Sequence, residues 1–228
     1  MLSTLHVALT ADDAASQHGR DVAREVGMIL ALTAGAGLII GSRQGFTADG
    51  ITQSLFVAIK LPLLLLAASA MCMTPCLVIQ ACVGLGRTRR DLLRAILRAQ
   101  VAFSASLAAL SPLIGLAYAS GLSYIGAHAV NVAAFAGATL AAQVVLARGF
   151  RPLCRAAPLH RLLLATWMAL YPFVGIQCGW MLRPFIGQHG AEVVFLRPEA
   201  LTNAYVATWR LAARATRSDP DSSQRRER

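Results

Sequence analysis

Acidic residues are absent from every long apolar run of this chain. Only 14% of the 228 residues are charged and 56% are hydrophobic, with a mean hydropathy of +0.56. Soluble domains usually carry about 25% charged residues, so this composition excludes a disordered or collagen-like chain and disfavours an ordinary cytosolic enzyme. The pattern predicts solvation by lipid, because an ionised side chain at mid-bilayer costs about 3 kcal/mol or more.

Lysine is nearly missing as well. Lys60 is the only lysine among the 21 basic residues, which exceed the 11 acidic ones to give a formal net charge of +10. A pI near 10.4 is compatible with nucleic-acid binding. However, the Arg residues stand between apolar runs, which favours contact with anionic lipid head groups. We therefore expect a lipid bilayer as a partner and no nucleic acid.

The five cysteines do not form a disulfide framework, because their number is odd and four of them fall in apolar segments. Cys72 and Cys76 belong to the run Met71–Cys76, whose soft sulfur ligands would suit monovalent copper. No His or carboxylate lies near this run in sequence, so apolar packing is the preferred interpretation. We expect neither a metal nor another cofactor.

Five stretches are long and apolar enough to cross a bilayer, which takes roughly 20 residues. They are residues 26–42, 55–85, 99–119, 126–147 and 162–182. The second stretch contains Pro62 and Pro75, so we expect one kinked span there, with a re-entrant hairpin as the alternative. The predicted fold class is an all-α, polytopic transmembrane bundle.

Polar segments flank the predicted transmembrane domain of residues 26–182. Residues 1–25 form a polar segment without a cleavable signal, because acidic residues precede the first apolar run. Residues 183–217 form an extramembrane loop and an amphipathic helix at about 198–216, which either lies in the interface or caps the bundle. Residues 218–228 are typical of a disordered polar tail.

Arg placement predicts the orientation of the chain. The connections before the third and fifth spans are rich in Arg, whereas the turn at 120–125 carries no charge. By the positive-inside rule the Arg-rich connections and the N-terminus are cytoplasmic and the C-terminus is outside, in a plasma or inner membrane. The residues expected to contact lipid head groups are Arg87, Arg90, Arg94, Arg98, Arg148, Arg151 and Arg155.

Small residues recur at four-residue spacing in several spans. Such ladders let helices approach closely in lipid, and packing within the bundle is preferred here over homo-oligomerisation or partner docking. The ladders are Gly27/Ala31/Gly35 and Gly37/Gly41 in the first span, Ala133/Gly137/Ala141 and Ala134/Ala138/Ala142 in the fourth, and Gly175/Gly179 in the fifth.

Amides and one imidazole are the candidate polar groups inside the spans. Together they would either line a solute path or form interhelical hydrogen bonds worth about 1 kcal/mol each. A proton-coupled pump of the usual design is disfavoured, because no span holds a carboxylate. These residues are Gln80, Gln100, His128, Asn131, Gln143 and Gln177.

The end of the fifth span is rich in special residues. Trp180 and Arg183 suit the membrane interface, and Pro184 ends the helix. With Phe185, these residues form either a docking element at the outer surface or an anchored helix end.

Hydrolytic, phosphate-binding and dinucleotide-binding motifs do not occur, so we expect no enzyme. Five spans with a proline-containing third span, Ser106 through Pro112–Leu113–Ile114–Gly115, resemble the Yip-type five-span membrane proteins over residues 26–182. The resemblance implies a membrane-organising or trafficking-type scaffold with no catalytic residues. We therefore expect a non-enzymatic scaffold or accessory subunit that binds a protein partner or forms a homo-oligomer. A small transporter or channel component is the alternative.

Overall fold

The computed structural model describes residues 2–85, 88–187 and 193–196, and of residues 2–18 only the course of the backbone. This part of the chain contains five α-helices, one short 3₁₀ helix and no strand. The helices are α1 (Leu2–Gly41), α2 (Ala48–Cys82), α3 (Arg89–Ala119), α4 (Tyr124–Ala156) and α5 (His160–Met181), and the 3₁₀ helix is Ser42–Gln44.

Each of the five helices contains a segment long and apolar enough to cross a membrane. The all-α class with five spans is therefore confirmed. The candidate spans are Gly19–Gln44, Ala48–Cys82, Arg89–Ala119, Tyr124–Ala156 and His160–Met181. The predicted C-terminal helix at 198–216 and the predicted tail at 218–228 lie outside the described residues.

The second apolar run is one continuous helix and not a re-entrant hairpin. Pro62 and Pro75 both lie inside α2, and the backbone stays helical through them. Transmembrane helices tolerate such prolines because neighbouring groups satisfy the freed carbonyls. α2 begins at Thr47, whose side-chain oxygen accepts a hydrogen bond from the Gly50 amide at 3.0 Å.

Successive helices run in opposite directions, so their connections lie alternately at the two ends of the bundle. The Arg-rich end holds the connections between α2 and α3 and between α4 and α5, of which the structure describes residues 83–85, Thr88 and residues 157–159. The loop end holds the 3₁₀ helix, the turn at 120–123 and the segment after α5. Gly45 and Gly121 turn the chain at this end with φ near +72° and +76°, a conformation that favours glycine.

Two glycines bring α1 and α2 into backbone contact. A Cβ added to Gly37 would lie 2.7 Å from the Cα of Ala58, and one added to Gly41 would lie 2.5 Å from the Cα of Ser54. Side chains larger than hydrogen would force these helices apart. The Gly37/Gly41 ladder therefore packs within the bundle, as the sequence predicts.

The other ladders divide between core and surface. Ala134, Ala138 and Ala142 of α4 are buried, which agrees with packing inside the bundle. Gly27 and Gly35 instead lie on an exposed face of α1, where an added Cβ would meet nothing within 4 Å. For that ladder the preferred interpretation of packing within the chain is wrong, because α2 and α3 cover the opposite side of α1.

We expect Gly37→Ala to lower the thermal unfolding midpoint of the purified protein in detergent, because overpacking costs about 1–3 kcal/mol. Gly35→Ala is the matched control, since it brings the same gain in helix propensity of about 1 kcal/mol without a neighbour to displace. Equal midpoints for the two variants would contradict the close contact between α1 and α2.

Candidate functional site

The chain's only lysine is fully enclosed by the protein. Lys60 lies in α2 within a long apolar run and has 0% of its surface exposed. A buried ammonium is stable only where other groups replace its water. The Lys60 Nζ donates a hydrogen bond to the Pro184 carbonyl at 2.9 Å. That carbonyl belongs to the segment that follows α5, 124 residues further along the chain.

Residues 183–187, here called the cap segment, fold over the loop end of α1 and α2. The Gln53 Nε2 also donates to the Pro184 carbonyl, at 3.1 Å, and an Arg43 guanidinium nitrogen donates to the Gly187 carbonyl at 3.2 Å. Ile186 of the cap segment is only 5% exposed. One side chain of the 3₁₀ helix and two side chains of α2 therefore hold the cap segment, which is not itself helical.

Aromatic rings complete the surroundings of the lysine. Its Nζ lies 5.1 Å from the ring centroid of Phe195 and 6.0 Å from that of Phe185. Phe195 in turn packs edge-on against Phe56 of α2, with ring centroids 5.2 Å apart. Such cation–π contacts contribute about 0.5–2 kcal/mol each, with the larger values in dry surroundings. The ammonium is thus held by one carbonyl and two rings.

The local sequence explains why this arrangement forms. α5 ends at Met181, so the Pro184 carbonyl has no place in a helical hydrogen-bond ladder. Gln53 and Lys60 are seven residues apart and therefore lie on one face of α2, so that both reach the same acceptor. Next to them, the guanidinium of Arg183 stacks on the Trp180 ring, 3.8 Å from its centroid.

The four residues predicted as a docking element lie together in the structure. Trp180, Arg183, Pro184 and Phe185 are all half-buried at the loop end. The residues that anchor them, Lys60, Gln53 and Arg43, were not predicted as site residues. A single lysine inside an apolar run was the available signal, since an ionisable residue in a span indicates a function or a specific partner.

At the Arg-rich end, Gln80 belongs to a separate hydrogen-bonded group. Its Nε2 donates to the Leu85 carbonyl at 3.1 Å and to the Thr88 hydroxyl oxygen at 3.3 Å. The Thr88 hydroxyl oxygen lies 2.8 Å from the His160 Nε2, and His160 is fully buried at the start of α5. The group joins the two Arg-rich connections. Sequence reasoning missed His160, because its position just before the apolar run resembled a loop.

Two further polar groups lie between other helix pairs. The Tyr171 hydroxyl of α5 donates to the Gln100 Oε1 of α3 at 2.8 Å, in a buried position. The Asn131 Nδ2 of α4 donates to the Tyr118 hydroxyl oxygen, and that hydroxyl donates to the Ile40 carbonyl of α1 at 3.3 Å. These bonds tie helices together, which is the structural alternative that the sequence left open.

The remaining predicted polar residues are His128, Gln143 and Gln177. His128 is exposed and packs against the ring of Tyr124, with centroids 4.7 Å apart. Gln143 has a buried Oε1 without a hydrogen-bond partner in the described part of the chain, and Gln177 is half-buried. Of the six residues predicted for a polar path, Gln80, Gln100 and Asn131 belong to three separate hydrogen-bonded groups.

The sulfur-rich run packs against α5. Cys72, Cys76 and Cys178 are buried, and the Cys178 sulfur lies 4.0 Å from that of Met71. Within the described residues, no group of three His, Cys, Asp or Glu side chains is placed to hold a metal ion.

The described Arg residues that were predicted to contact head groups lie on the surface at the Arg-rich end. Arg90, Arg94, Arg98, Arg148, Arg151 and Arg155 are exposed, and Arg87 lies outside the described residues.

Comparison of the chain with protein-family models, with curated proteins and with solved structures gives no match. Its class therefore follows from the architecture alone. Five helices that are long and apolar enough to span a membrane support an integral, multi-pass membrane protein.

We expect Lys60→Met to loosen the cap segment selectively. A hydrogen bond from a charged donor is worth about 1.5–3 kcal/mol, so amide hydrogen exchange at residues 185–187 should rise about tenfold or more. Adding Gln53→Leu should raise it further, because the Pro184 carbonyl then loses both side-chain donors. Gln143→Leu on α4 is the control. Unchanged exchange in the double variant would contradict the anchoring role.

Proposed function

We propose that this protein is a non-enzymatic scaffold or accessory subunit of a membrane complex. The observation that carries the proposal is the use of the only lysine: its ammonium is enclosed and fixes the cap segment. In a transporter, such a charge would have to be accessible to the solute, whereas Lys60 is enclosed by the protein. A charge that shapes an extramembrane element suits a protein that presents a surface to a partner.

The bonding of the other polar groups also supports a scaffold over a transporter. Gln80, Gln100 and Asn131 each bond to groups on their own bundle, in three separate places. Hydrogen bonds of this kind rigidify a helical bundle in lipid. The resemblance to the Yip-type five-span proteins points to the same class of function.

The surface beside the cap segment is the docking site that we propose for the protein partner. Phe46 is completely exposed. It lies two residues after Gln44, whose side chain packs at Gly187 of the cap segment. Leu196 is 49% exposed, and Phe195 before it contacts the buried lysine. Exposed aromatic and aliphatic side chains on a fixed frame are typical anchors of a protein interface. The competing role for Phe46 is an anchor in the aromatic belt of the membrane.

Photo-crosslinking in native membranes tests the docking site. A photoreactive residue at position 46 or 196 should give one adduct of defined mass with a second protein or a second copy of the chain. The adduct should weaken when Lys60→Met is added, because the cap segment is then no longer held. A photoreactive residue at Leu140, which lies on α4 and is 67% exposed, is the lipid-facing control.

Two results would contradict the scaffold. One is crosslinking to lipid alone from positions 46 and 196, and the other is movement of a solute by the purified protein in liposomes. The second result would favour the transporter.

We further propose that the Arg-rich end faces the cytoplasm of a plasma or inner membrane, with the N-terminus inside and the C-terminus outside. The support is the positive-inside rule applied to the two Arg-rich connections. Reporter fusions after Ser123 and after Arg217 should both report an outside location. A cytoplasmic signal from either fusion would overturn this orientation.

A further inference from the structure

A crevice opens between α1 and α3 at the Arg-rich end. Its volume is about 390 Å³, within the range of small-molecule sites. The α1 wall carries Asp21, Arg24 and Glu25, and the α3 wall carries Arg94 and Arg98. Val22 and Met28 supply the apolar part of the lining. We call this feature the α1–α3 crevice.

The crevice lies where both helices leave the charged part of the sequence. Glu25 is the last charged residue of α1, and Arg98 is the last charged residue of α3. Both helices continue from these points as uncharged, apolar segments. In a helix that crosses a bilayer, this boundary marks the level of the lipid head groups. Met28 then lies about one turn deeper, at the level where acyl chains begin.

Both signs of charge line the crevice. Guanidinium groups bind phosphate with paired, charge-assisted hydrogen bonds. Carboxylates bind a primary ammonium, which has three N–H donors. Three guanidinium groups and two carboxylates line the crevice, so a ligand that pairs with both signs of charge would carry a phosphate and an ammonium a few bonds apart.

We propose that the α1–α3 crevice binds the head group of phosphatidylethanolamine. Its phosphate pairs with Arg94 and Arg98, and its ammonium pairs with Asp21 and Glu25. The acyl chains continue along Met28 into the bilayer. An anionic lipid without an amine would pair with the guanidinium groups but would offer no N–H donor to Asp21 and Glu25. A choline lipid has no N–H to donate, and none of the lining residues is an aromatic that would hold a quaternary amine.

Native mass spectrometry of the full-length, delipidated protein in detergent tests the site. The protein is mixed with equal amounts of phosphatidylethanolamine, phosphatidylglycerol and phosphatidylcholine that share the same acyl chains. We expect the ethanolamine lipid to be enriched about fivefold over each of the others, as one additional charge-assisted contact predicts.

Variants separate the two halves of the head group. Asp21→Asn with Glu25→Gln should abolish the preference for ethanolamine over glycerol while phosphatidylglycerol still binds. Arg98→Gln should lower the binding of all three lipids. Asp91→Asn and Arg151→Gln are matched controls, because both residues are exposed at the same end but do not line the crevice. Their lipid binding should match that of the wild-type protein.

Three outcomes would overturn the proposal. The first is a wild-type preference for phosphatidylglycerol, which would indicate only an anionic-lipid surface. The second is an unchanged lipid ratio in the Asp21→Asn, Glu25→Gln variant. The third is displacement of the lipid by an equal amount of glycerophosphoethanolamine, which would assign the crevice to a soluble phosphoamine. The wild-type competition decides the matter even if a variant fails to fold. The site requires helices that cross a bilayer but not the scaffold function.

Discussion

The solvation of one ammonium group organises the loop end of this protein. Lys60 is fully enclosed by the protein, so its ammonium depends on groups of the chain for the contacts that bulk water would otherwise supply. The ammonium donates a hydrogen bond to the backbone carbonyl of Pro184, which lies outside the helices. Because that carbonyl lies beyond α5, satisfying the lysine also fixes the end of the last span against the beginning of the second.

The same requirement shapes the rest of the interior. In hydrocarbon, an unsatisfied polar group is more costly than an imperfectly packed apolar one. Tyr171 therefore bonds to Gln100, and Tyr118 links Asn131 to a backbone carbonyl of α1. The Tyr171–Gln100 and Tyr118–Ile40 bonds join helices that are not consecutive in the chain. These polar groups specify which helices are neighbours, while the apolar residues supply most of the contact area.

Close backbone contact complements this polar specificity. Van der Waals packing holds helices together in lipid, since lipid tails are as apolar as the side chains themselves. Gly37 and Gly41 bring α1 against α2 at the end where the cap segment also rests. The exposed ladder of Gly27 and Gly35 has the same sequence pattern but no neighbour within the bundle. Spacing alone does not separate these two cases, because both faces of α1 carry small residues.

The sequence by itself determined the all-α class of this protein, its five candidate spans and the surface position of six Arg residues at its Arg-rich end. These features follow from length, hydropathy and charge, which act on each segment independently. Only the tertiary structure decided that Pro184 meets Lys60, that His160 meets Thr88, and that Asp21 and Arg98 line one crevice. Each of these pairs depends on how helices far apart in sequence are arranged side by side, and hydropathy carries no information about that arrangement.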